Sequence, residues 1–394
     1  FNIKNNGDID LQNIELPLSY LPSGVKLENM EANKGFIEND VWSIEKLTPN
    51  EETSLTGTLN VNLTSKIQSL DISITPTIRV EDRNVSQKTS THSFGIVYPH
   101  LSVTSAWKDN RTSARPQETP ILDLTLRNDS NIALSNINLA ISLPSSIVDI
   151  NKFINLNGGT WSNGVLTLSQ KNIESLVQVN PGASANLSLF VPIKYTPQGG
   201  TDPSLVISSQ ISANVTGFTQ AHYKTTLDSS PIAIGTQILF EAQIIYYTNE
   251  GDQLGRGPLP PQVGKETKYW AMIQITNTTS RVENLNFSAK LPNYVTWTGK
   301  TSVTHGTDVS FNSANRDVSW ALSNLPAHTT AGIYFELAIT PDDSQKGTLP
   351  IILQNINLDA QDGYIGGSIT KSFVNLDTSI PYDSIGKQKG TLVQ

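Results

Sequence analysis

The sequence predicts an all-β chain built as three tandem β-sandwiches, and three observations carry that prediction. One strand-forming frame is written three times along the 394 residues. Apolar residues recur with a period of two through most of the chain, the mark of half-buried strands. Turn signals punctuate the sequence every ~8–12 residues, a spacing that suits sandwiches better than helical or mixed folds.

The frame is plainest in NDSNIALSNINLAISLP, Asn128 to Pro144. Its counterparts are NNGDIDLQNIELPLSYLP, with Asn5, Asn13, Ile14, Leu16, Leu21 and Pro22, and NTTSRVENLNFSAKLP, with Asn277, Asn284, Leu285, Phe287, Leu291 and Pro292. In the second copy Ile137, Leu139, Ile141 and Leu143 alternate with Asn138, Ala140 and Ser142, giving one strand with a buried and a solvated face. The third copy alternates alike from Leu285 to Leu291. The first does so from Ile14, and there Pro17, which lacks an N–H, calls for a free edge or a bulge. The first asparagine of each frame closes the preceding strand, where Asn tolerates left-handed backbone. Leu-Pro stops the next strand, because proline has no ladder donor.

Further agreement follows each frame. FIENDVWSI, TWSNGVLTL and FNSANRDVSWAL read as hairpins, with Asn-Asp and Asn-Gly as apt turns. Trp42 and Trp320 match each other there, Leu166 stands in the second copy, and all three suit a core. Only IESLVQV, Ile173 to Val179, hints at a helical turn. The second and third copies also open on an extra strand, LSVTSAWKDN and TQILFEAQIIYYTN, followed by the Pro- and Gly-bearing connectors TSARPQETP and GRGPLPPQVG. The first copy shows no such strand, and its leading piece is expected upstream of Phe1. These divisions place the domains at 1–98, 99–235 and 236–378, with a loosely held tail over 379–394. Each domain is long enough to bury its own core. The short junctions GIVYPHLSV and SPIAIGTQI leave little slack, so an extended rod is expected.

With strands, Asn turns, Leu-Pro stops and the hairpin tryptophan in place, the chain resembles a family of tandem immunoglobulin-like repeats. These are the conserved-repeat, domain-of-unknown-function-eleven type of bacterial cell-surface proteins. The stretch GRGPLPPQVGKETKYWAMIQITN, followed by LPNYVTWTGK, RDVSWAL and LDTSIPYD, is similar to the C-terminal ectodomains of candidate-phyla bacterial surface proteins. The resemblance spans Phe1 to about Thr378. It implies immunoglobulin-like sandwiches, an extracellular location and no catalytic activity, with any membrane anchor in segments absent from this chain.

Composition narrows the chemistry. Charged residues make up 16%, the net charge is -8 and the pI is near 5.2, which argues against a nucleic-acid partner. With no cysteine there is no disulfide, thiolate metal site or cysteine nucleophile. The five histidines (His92, His100, His222, His305 and His328) lack metal-ligand spacing, and neither a nucleophile elbow nor a phosphate-binding loop occurs. The N-x-[ST] triplets, Asn186 and Asn214 among them, arise at the rate the composition sets.

Two sets of residues remain as candidate sites. Glu81 and Asp82 in the first copy, and Asp359 and Asp362 in the third, fall at matching strand ends. There they would offer oxygen ligands for a structural Ca²⁺, against the plainer reading of solvated strand-end acids. No other cofactor is expected. Adjacent aromatics in IIYYTN and KYWAM must put one ring of each pair outward, which singles out Tyr247 and Trp270, with Trp107 in SAWKDN as a third. Outward rings can stack on sugars or pack on a neighbouring subunit. The functional expectation is a structural protein of the bacterial cell surface, a subunit of an S-layer, envelope coat or stalk, self-associating into a lattice or filament. The alternative is an adhesin that binds host-cell or polymer glycans.

Overall fold

The computed structural model describes residues 1–18, 21, 23–62, 69–80 and 82–394. Strand takes up 53% of the chain and helix 6%, so the chain is all-β. The buried apolar residues sort into three separate cores. The first gathers around Ile14, Leu16, Trp42 and Ile44. The second includes Leu124, Ile137, Leu139 and Phe153, and the third includes Ile273, Phe287, Trp320 and Phe335.

In the third sandwich one sheet orders Ile238–Ile245, Thr267–Asn277, Thr330–Ile339 and Val295–Val303. The other orders Ser310–Asn312, Asp317–Leu325, Val282–Lys290, Ile351–Asp362 and Ser368–Phe373. The second sandwich repeats the plan. Leu101–Trp107, Ile121–Asn128 and Ser184–Phe190 form one sheet, against Thr160–Ser162, Val165–Leu168, Leu134–Ser142, Ser208–Val215 and His222–Asp228. In the first, Asn2–Lys4, Glu52–Val61 and Val25–Ala32 make the smaller sheet. Among the described residues no strand lies on the far side of Asn2–Lys4, the place held in the sister sandwiches by Leu101–Trp107 and Ile238–Ile245. The first core is open there, as a cleft of about 700 Å³ lined by Ile3, Leu55, Leu59, Ile72 and Phe94.

The repeated asparagines have a different task from the one expected. Asn5, Asn128 and Asn277 are buried, and none of them has a left-handed backbone. Each side-chain amide instead bonds carbonyls on two sides of the sandwich end. Asn5 donates to Ile9 O and Leu47 O at 2.8 and 2.9 Å. Asn128 donates to Ile132 O and Val179 O at 2.8 and 2.7 Å. Asn277 reaches Ser280 O at 2.7 Å and Leu325 O at 3.0 Å. An amide that satisfies several buried carbonyls ties a loop to a strand end more firmly than any apolar side chain could. The left-handed residue is the second asparagine of each frame, with φ of 50° at Asn13, 50° at Asn136 and 53° at Asn284. At the latter two it marks a bulge in the ladder.

The hairpin residues match the reading. Asn39, Asp40, Asn163 and Gly164 all have positive φ, as two-residue turns require. Trp42 and Trp320 are buried, their indole N–H groups donating to Lys34 O at 2.9 Å and His305 O at 3.0 Å. Pro17 ends its strand, and the ladder on that strand's other edge is reduced to the pair Glu15 and Thr77.

Two expectations need correction. Besides the short 3-10 turn Glu174–Leu176, the second sandwich carries an α-helix, Ile150–Asn157, capped by the Asp149 carboxylate and burying Phe153. The tail after Thr378 is not loose. Ile380, Asp383 and Val393 are buried, and the segment forms the helix Ser384–Lys389. Asp383 accepts from the Tyr246 and Tyr247 N–H groups at 2.8 and 2.7 Å, and the Gln394 N–H donates to Pro261 O at 2.8 Å. Polar anchors, not an apolar run, hold it down.

Candidate functional site

The expected acidic residues do not come together. Asp82 lies in the turn between Thr77–Val80 and Arg83–Ser86 with its side chain 99% exposed, paired to Arg79 at 3.3 Å. Its neighbour Glu81 lies outside the described residues. Asp359 accepts from the Thr370 hydroxyl at 2.9 Å. Asp362 is buried, and both of its oxygens are taken by backbone. The Thr236 N–H donates to Oδ2 at 2.7 Å, and the Tyr364 and Ile365 N–H groups donate to Oδ1 at 2.9 and 3.1 Å. Among the described residues no three His, Asp or Glu side chains gather as a metal site would need.

Asp362 matters for another reason, because it holds the junction of the second and third sandwiches. Three consecutive N–H groups hand the chain over. The Ile234 N–H donates to Pro203 O at 2.8 Å, the Gly235 N–H to Ala114 O at 2.9 Å, and the Thr236 N–H to Asp362. A β-carbon on Gly235 would lie 2.6 Å from Ile365 Cδ1 and 2.7 Å from Asp362 Oδ2, so only glycine fits that approach. The Asp202 N–H donates across the junction to Thr279 O at 3.1 Å. At the first junction the exposed Asn131 donates to Ile96 O at 2.6 Å and accepts from the Tyr98 N–H at 3.3 Å.

The aromatic candidates divide. Trp107 points inward, buried at 4% exposure, with its indole N–H donating to Ser230 O at 2.7 Å, so its ring is core and not surface. In each adjacent pair one ring is buried, Tyr246 and Tyr269, and the other, Tyr247 and Trp270, is half-buried on the outer side. Burial pushes the Tyr269 phenol far above its ordinary value, and its hydroxyl has no partner. Tyr247 is covered on one side by Tyr246 and lies 5.3 Å from Lys389 Nζ, so it helps to seat the C-terminal helix.

Trp270 belongs to a larger surface, the outer face of the third sandwich's four-stranded sheet. The ladder sets Trp270 opposite Ile245 and Glu336, Met272 opposite Gln243 and Tyr334, and Gln274 opposite Glu241 and Gly332. The Tyr334 ring lies flat along its strand, since a β-carbon on Gly332 would meet its hydroxyl oxygen at 2.3 Å. Glu336 is nearly inaccessible and pairs with Lys300 at 3.2 Å. Beside this face Glu241, Gln243, Met272, Gln274, Phe373 and Tyr382 line a cleft of about 360 Å³.

The second sandwich treats the same face differently. There Thr125 donates to Asn186 at 2.9 Å, Ser188 to Asp123 at 2.5 Å and Arg127 to Asp129 at 2.9 Å. Its polar side chains are spent on one another. In the third sandwich the side chains of Glu241, Gln243 and Gln274 make no hydrogen bond or ion pair among the described residues. Sequence reasoning missed these three and Tyr334. The one signal was Gly332 inside a strand, which marks a close approach by a neighbour.

No protein-family model matches the chain, so the resemblance to the conserved-repeat family has no such match behind it. No curated protein sequence matches it either. Among solved structures, the chain is similar to the C-terminal domain of the Streptococcus pyogenes antigen I/II-family protein AspA. The identity is 10% and the TM-score 0.30, over 71% of this chain and 99% of that one. It is also similar to the major pilin subunit of Bacillus cereus, at 8% identity and a TM-score of 0.27, covering 94% and 90%. A third likeness is to a putative membrane anchored protein from Corynebacterium diphtheriae, at 9% identity and a TM-score of 0.22, covering 96% and 85%. No described helix is long and apolar enough to cross a membrane. The functional reading rests on the chain's own geometry.

Proposed function

We propose that this chain is a non-catalytic structural protein of the bacterial cell surface, a subunit of a surface layer, coat or stalk. Its three sandwiches would fold as separate units meeting near Tyr98 and Gly235. The single observation that carries the reading is the second junction, where consecutive N–H groups at Ile234, Gly235 and Thr236 are bound first by one sandwich and then by the next. A linker whose donors are all satisfied transmits force instead of swivelling. Low charge and absent cysteine fit a surface scaffold whose stability comes from cores and ladders. Negative-stain microscopy of the purified chain tests it. Rods with a fixed angle between the second and third beads, alone or assembled into sheets or filaments, support the reading. Compact particles with no repeating bead contradict it.

A second reading, a surface adhesin, is favoured by one observation. The outer face of the third sandwich carries Trp270, Tyr334 and unspent polar side chains, where the matching rows of the second sandwich carry Phe190 and polar pairs that satisfy each other.

A further inference from the structure

We propose that the outer face of the third sandwich, with the cleft beside Glu241, is a binding site for neutral saccharide chains; the inference rests on the adhesin reading and names the ligand class. A pyranose ring offers two chemistries at once. Its C–H faces are apolar and stack on flat rings, while its equatorial hydroxyls need both donors and acceptors. The sheet presents both in register. Trp270 and Tyr334 occupy neighbouring strands on one face, with Met272 directly opposite Tyr334 and next to Trp270 along its own strand on that face. Because Tyr334 lies flat over Gly332, one side of its ring is spent on backbone and the other is turned outward.

Next to these rings stand a carboxylate and two amides without partners among the described residues, Glu241, Gln243 and Gln274. A carboxylate only accepts, whereas an amide both donates and accepts, so the set can satisfy hydroxyls in either sense. Tyr382, 63% exposed, closes one side of the cleft as a further ring. At about 360 Å³ the cleft lies within the range of small-molecule sites.

The electrostatics select within the class. Among the described residues Glu241 is the charged side chain that lines the cleft, and the lysines on the same face, Lys268 and Lys300, are already paired with Glu266 and Glu336. Sialylated, uronic or sulfated chains would meet a carboxylate with nothing to offset it, so the site favours uncharged ones. The sister face supplies an internal control. Its matching positions are Thr104, Thr125 and Asn186, then Ala106, Asp123 and Ser188. Those two rows hold no ring, and the polar groups among them bond each other, while the row that matches Trp270 pairs Ile121 with Phe190, a single outward ring.

The test titrates the intact chain by calorimetry with cello-, chito- and manno-hexaose and a galactan oligosaccharide, and with hyaluronan and heparin fragments as charged counterparts. At least one neutral chain should bind, and the charged ones should not. Glu241→Ala and Gln274→Ala, both on exposed side chains, should each weaken binding about tenfold or more at an unchanged melting temperature. Trp270→Phe should weaken it with the fold kept, while Asp123→Ala on the sister face should leave it alone. Silence across the neutral panel overturns the proposal, as does binding that ignores all three third-sandwich variants or prefers the charged fragments. Adhesion of protein-coated beads to cells that Glu241→Ala abolishes, with no neutral sugar bound, overturns the ligand class while leaving the adhesin reading intact.

Discussion

Replacing Asp362 with alanine removes the acceptor of the Thr236 N–H and of two further N–H groups in the following turn. Thr236 is 4% exposed, so water cannot replace that acceptor without opening the junction. A hydrogen bond to a charged group contributes about 1.5–3 kcal/mol, and a buried donor left alone costs a similar amount. The Tyr364 and Ile365 amides lie in a turn that water reaches, so together they add about 1 kcal/mol. The expected loss is roughly 3–4 kcal/mol. For a unit of about 150 residues, the unfolding entropy turns this into a fall of roughly 10 °C in that unit's midpoint. Differential scanning calorimetry reads it. The third-sandwich transition should drop while the first stays in place, and small-angle scattering should show a broader spread of maximum dimension. Asp362→Asn should recover less than half, because one amide corner presents donors to a donor. A shift under about 2 °C, or an equal shift in every transition, would refute the reasoning.

Four further outcomes are expected. Gly235→Ala should destabilise the same junction and lower the same transition, because the added methyl meets Ile365 and Asp362 inside contact distance; an unmoved calorimetric trace counts against the close approach. Asn128→Ala should cost the second sandwich about 3 kcal/mol in urea unfolding, since the buried Val179 carbonyl loses its donor and the Ser130 N–H its acceptor. Tyr269→Phe should be neutral or add up to about 1 kcal/mol, because it deletes a buried hydroxyl that bonds nothing; a marked loss would reveal a partner. In the first sandwich Lys34, with the Thr48 N–H and hydroxyl, holds the Glu51 carboxylate from an ordinary 4.5 down to about 2. A folded value below the unfolded one means that the stabilisation is complete above about pH 4.5 and is lost as the pH falls toward 2. Glu51→Gln should therefore flatten the acid limb of the first transition, as followed by circular dichroism.

Most strands were legible because one face is buried and the other is wet, so apolar residues fall at every second position, as from Ile137 to Leu143. The helix Ile150–Asn157 was not, because its apolar stripe, Ile150, Phe153 and Ile154, spans little more than one turn. Its caps, Asp149 and Gly158, were the usable signals. The frame asparagines were visible as a repeat, but their role was not, since the carbonyls that Asn128 binds include one 51 residues away. Trp107 and Trp270 look alike in sequence, each beside an alanine in a strand, Ala106 and Ala271. Which one faces out depends on its ladder: Trp107 shares a side with Leu122, whereas Trp270 shares one with Glu336. The candidate face stayed hidden for the same reason. Gln274 and Glu241 belong to strands separated by a long connector, and Tyr334 joins them only through the register of a third.

Stretching single molecules between their two ends tests the load-carrying account most directly. Three separate unfolding events are expected, each releasing chain at roughly 3.3–3.6 Å per residue of one sandwich, with the link between the second and third giving no extension before either opens. A single cooperative rupture of the whole chain, or extension at low force with no discrete events, would contradict it.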